Sequence, residues 1–68
     1  MIARLSEEEV ELLDKAISNP DDFVVEVDND IIYVIHTKTG EIEGDLTIHG
    51  QDLVIALLRH MGANAELV

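Results

Sequence analysis

Two short breaks, Asn29-Asp30 and Lys38-Thr39-Gly40, interrupt a stretch in which apolar and polar residues alternate with a period of two. Their lengths constrain the fold more than any other feature, because loop length sets strand register and register decides which side chains share a face. The alternating runs, Phe23 to Asp28, Ile31 to Thr37 and Glu41 to Ile48, are rich in β-branched residues and read as three strands of an antiparallel meander. Asn29 tolerates the positive φ of a two-residue turn, and Gly40 suits the left-handed position of a three-residue loop. An even first loop sets Val27 opposite Ile32 and Val25 opposite Val34. An odd second loop sets Ile32 opposite Leu46 and His36 opposite Ile42. One sheet face then gathers Phe23, Val25, Val27, Ile32, Val34, Ile42, Leu46 and Ile48.

Helical spacing brackets this meander. Ser6 with Glu9 three residues on is a capping box, flanked by Leu5 and Val10 at the staple positions, so a helix starts at Glu7. Val10, Leu13, Ala16 and Ile17 form its apolar stripe, and Asn19-Pro20 ends it because a residue before proline is pushed from the α region. A second helix runs from Gln51 to Met61 after Gly50, stopped by Gly62 as a left-handed cap. Its stripe is Leu53, Val54, Leu57, Leu58 and Met61, which leaves Ile55 for the surface. The expected fold is α+β: an αβββα unit with a three-stranded antiparallel meander and both helices packed on one face. Ala63 to Val68 carries too little pattern for an element and is expected to be loose or to pair weakly with a neighbour.

Residues 1–68 make one small acidic domain, near the size where a chain buries only about 60% of its unfolded surface. No cysteine is present to staple it, so apolar burial must hold the core. The longest apolar run, Leu53 to Leu58, falls far short of the roughly 20 residues that cross a membrane. No membrane association and a cytoplasmic location are the expectations. Fifteen acidic residues face four lysines and arginines, a formal charge of -11, while 47% of the residues are hydrophobic. That apolar content supports a folded chain, so the charge decorates a surface. Direct nucleic-acid binding is not expected, because cations are few and Phe23 and Tyr33 are the only aromatic residues for stacking.

If both helices cover one face, the other displays Val24, Glu26 and Asp28, then Ile31, Tyr33 and Ile35, then Glu41, Glu43, Asp45, Thr47 and His49. Carboxylates on the outer strands, roughly 9.6 Å apart, flank an apolar strip on the central one. A greasy strip with a charged rim is the anatomy of a protein contact surface. The expected partner-binding residues are therefore Glu26, Asp28, Ile31, Tyr33, Ile35, Glu41, Glu43 and Asp45.

No pattern points to a catalytic or metal centre. His36, His49 and His60 are scattered and lack the same-face spacing of a helical zinc motif. Asp28-Asn29-Asp30 opens like a calcium loop, but Ile32 and Tyr33 stand where another ligand and the turn glycine belong. Lys38-Thr39-Gly40 matches one element of the penicillin-recognising serine enzymes without their Ser-x-x-Lys or Ser-Asp-Asn companions. The chain is expected to be no enzyme and to use no cofactor.

The functional expectation is a non-enzymatic binding module that engages a protein with a basic surface, in its sharpest form an inhibitor whose carboxylates mimic nucleic-acid phosphates. The alternative is a structural or assembly role, as a homo-oligomer or small subunit, with acidity serving solubility. Acidic, lysine-poor surfaces also suit cells of high internal salt.

Overall fold

The computed structural model describes residues 5–68. The elements are α1 (Glu7–Ser18), β1 (Phe23–Asp28), β2 (Ile31–His36), β3 (Ile42–Thr47), α2 (Gln51–His60) and β4 (Ala65–Leu67). The class is α+β, with two helices and a four-stranded mixed sheet in the order β3-β2-β1-β4 among the described residues. The fourth strand corrects the expected three-stranded meander: β4 lies parallel to β1, with Val25 beside Ala65 and Val27 beside Leu67. Only three residues long, it is held by Val25 N–H donating to Asn64 O at 2.8 Å and Val68 N–H donating to Val27 O at 2.9 Å.

Local chemistry sets the element ends. Ser6 N–H donates to Glu9 Oε1 at 2.9 Å while Glu9 N–H donates to Ser6 Oγ at 3.2 Å, so the capping box satisfies two amides that no helical carbonyl can reach. At the other end of α1, the Asn19 backbone and side-chain amides both donate to Lys15 O. Asn29 takes φ 52° in the β1–β2 turn, and Gly40 takes φ 75° in the next loop. After α2, Gly62 at φ 99° turns the chain, Gly62 N–H donates to Arg59 O and Ala63 N–H donates to Leu58 O. These two bonds are the Schellman pattern that closes a helix, and they aim the chain back along β1.

The first hairpin has the expected register, with Val25 opposite Val34 and Val27 opposite Ile32. Ile32 also meets Leu46 as expected. Beyond Val34 the β2–β3 ladder slips: Val34 pairs Gly44, but Ile35 pairs Ile42, leaving Glu43 as an extra residue. This β-bulge moves Ile42 from the buried face, where the loop lengths placed it, to the exposed one. A glycine inside a strand is the sequence mark of such a site.

The core lies between the sheet and both helices. Val25, Val27, Ile32 and Val34 are wholly buried, joined by Phe23, Leu46, Ala16 of α1 and Ile55 and Leu58 of α2. Both helices sit turned from the expected stripes. Leu12 faces inward with Leu13, Ala16 and Ile17, because Gly44 leaves a notch in which a Cβ would lie 2.9 Å from Leu12 Cδ2. Val10 is correspondingly half exposed. In α2 the inward residues are Val54, Ile55 and Leu58, so Ile55 is core while Leu53, Leu57 and Met61 face solvent. The helix is apolar on most sides, and periodicity alone cannot choose its inner face.

Candidate functional site: the uncovered sheet face

Residues opposite one another in register share a face, so the pairings define what the far side of the sheet presents. Three cross-strand rows result. Asp45, Tyr33, Glu26 and Glu66 form the first; Thr47, Ile31 and Asp28 the second; Ile42, Ile35 and Val24 the third. Tyr33 thus stands between two carboxylates, each one strand spacing of about 4.8 Å away. Val24, Ile35 and Ile42 join Ile31 and Tyr33 in an apolar patch broader than the central strip that alternation alone outlines.

Of the residues expected on this face, Glu26, Asp28, Ile31, Tyr33, Ile35 and Asp45 are brought together. Glu41 and Glu43 are not. The bulge sets Glu41 across from His36, whose N–H donates to Glu41 O at 2.8 Å, and so on the side away from Tyr33. Glu43 turns toward the helix layer, where its Oε2 accepts from Lys15 Nζ of α1 at 3.0 Å and its Oε1 lies 2.6 Å from His36 Nε2. The Lys15 ammonium first, then His36, hold the Glu43 carboxyl below its ordinary value of 4.5. His36 is further positioned against the Phe23 ring, with centroids 4.8 Å apart. Glu43 therefore ties α1 to the sheet and leaves the exposed rows.

Sequence reasoning missed Glu66 because it missed β4. Glu66 lies directly beside Glu26. Like charges at such a position destabilise a sheet, and none of the three rows contains a lysine or arginine. The remaining histidines stand apart: His49 Nδ1 is 3.0 Å from Asp30 Oδ2 at the hairpin end, and His60 is exposed on α2. Among the described residues, no group of three or more histidines and carboxylates is gathered as a metal would require. No described helix is long and apolar enough to cross a membrane.

Fold and face together define a small α+β domain with an acidic, apolar-centred sheet surface. Comparison with protein-family models, with curated proteins and with solved structures returned no match.

Proposed function

We propose that this protein is a non-enzymatic binding module that engages a basic protein surface through its uncovered sheet face. The observation that carries this reading is the row Asp45, Tyr33, Glu26, Glu66, in which an aromatic anchor sits among carboxylates and no lysine or arginine shares the row. Tyrosine is favoured at interface centres because it buries area while keeping a polar tip. Ile31, Ile35 and Ile42 supply the apolar ground around it, and Asp28 extends the acidic rim. A partner lysine or arginine near Glu26 and Glu66 would relieve their repulsion, so association gains what folding gives up. In the sharper form of this reading, the carboxylates stand in for phosphates and the protein is an inhibitor; release of the partner by nucleic acid would distinguish that form.

The test is capture of partners from the source cell with the wild-type chain and with Tyr33→Ala and Asp45→Lys. A specific partner should be retained by wild type, lost with either substitution, and released progressively by salt. Retention by both variants, or capture indifferent to salt, would rule the face out.

A further inference from the structure

The two outer strands of the described sheet, β3 and β4, end it differently. At β4 the outward carbonyl of Ala65 accepts from Arg59 Nε at 2.8 Å, so a cation covers that edge. The β3 edge is open. Ile48 N–H donates to Asp30 O at 2.9 Å, and closely bonded pairs alternate along an antiparallel ladder, so Leu46 and Gly44 also turn their peptide groups toward β2. Asp45 and Thr47 turn theirs outward, where no backbone group of the described residues meets them, and both residues are exposed. Beside this edge a groove separates β3 from α1, lined by Glu8, Glu11, Leu12 and Lys15 on the helix and by Gly44 and Asp45 on the strand. Lys15 is engaged by Glu43 at 3.0 Å, which leaves Glu8, Glu11 and Asp45 without an ion partner among the described residues.

From this juxtaposition we infer that the β3 edge takes an extended, basic segment of a partner protein as an added strand. Strand addition draws affinity from backbone hydrogen bonds and specificity from alternate side chains, and the edge and its groove supply one each. Residues of the added strand opposite Gly44 and Leu46 point to the helix layer, because residues opposite one another share a face. There a lysine or arginine lays its stem on Leu12 and reaches Glu8 and Glu11 with its charged head. A second copy is a poor occupant, since its own Glu8, Glu11 and Asp45 would be brought against these, and like charges across strands repel. A neutral strand would satisfy the edge amides but strip water from the carboxylates without return. The inference goes beyond the sheet-face reading and needs neither Tyr33 nor the apolar patch.

The test titrates the full chain at low salt with an acetylated, amidated heptapeptide alternating lysine with threonine, and reads amide hydrogen exchange by NMR. With free peptide at twice its dissociation constant, exchange at the Asp45 and Thr47 amides should slow about threefold. The same peptide N-methylated at its threonines keeps its charge but cannot pair along the edge, and should slow neither. Glu8→Gln combined with Glu11→Gln should weaken peptide binding at least about threefold with wild-type circular dichroism. Asp45 lies on both surfaces and is left unchanged, while Tyr33→Ala should bind the peptide as wild type does. Exchange at Asp45 and Thr47 that is unmoved by millimolar peptide overturns the inference. So does equal slowing by the N-methylated peptide, indifference to the paired glutamine substitutions, or loss of protection with Tyr33→Ala. The sheet-face proposal stands or falls separately, on partner capture.

Discussion

At the scale of single residues, the half-buried Gly44 and the exposed Glu43 beside it decide how α1 meets the sheet. Gly44 receives Leu12, and the bulge beside it turns Glu43 toward Lys15 and His36. Gly44→Val should destabilise the fold by about 1–3 kcal/mol through overpacking, with part of the loss recovered by Leu12→Ala in a double-mutant cycle measured by urea unfolding. The effect of Glu43 is best isolated by pH. Its folded carboxyl titrates below the ordinary 4.5, so its contribution to stability is complete above that value and is lost as the pH falls through the lowered folded one. The stability difference between wild type and Glu43→Gln should therefore shrink on acidification below 4.5, even while protonation of the other carboxylates relieves general repulsion. A difference that is constant across that range would show the ion pairs to be idle.

At the scale of elements, the first helix, the first hairpin and the C-cap of α2 were legible because each rests on a local rule. Ser6 and Glu9 satisfy one another, Asn29 tolerates left-handed backbone, and Gly62 is followed by an amide that reaches Leu58. What escaped was set by contacts distant in sequence. The bulge answers to packing between Leu12 and Gly44, the rotation of α2 to a helix apolar on several sides, and β4 to a parallel partner about 40 positions back. The bulge and β4 alter the candidate face: Ile42 and Glu66 enter it and Glu41 and Glu43 leave it. The placement of β4 rests partly on Arg59, whose Nε–H satisfies an edge carbonyl. Arg59→Ala should cost about 1 kcal/mol and should speed amide exchange at Val25 and Val68 more than at the β1–β2 ladder. Uniform acceleration across all four strands would mean that β4 does not open separately.

At the scale of the whole molecule, a principal extent of only 35 Å is comparable to the screening length of about 30 Å in about 0.01 M salt, so every carboxylate then feels the others. The melting temperature should rise with NaCl, whatever the partner. That response reports net charge and says nothing about the sheet face. The face has a sharper signature in Glu66, because the proposal makes this residue unfavourable for folding and favourable for binding. Glu66→Lys should pair with Glu26 and stabilise the isolated domain by about 0.2–1 kcal/mol. The decisive measurement is partner capture by Glu66→Lys beside its unfolding curve. The account predicts a domain at least as stable as wild type that no longer retains the salt-sensitive partner; undiminished capture by that stable variant would contradict it.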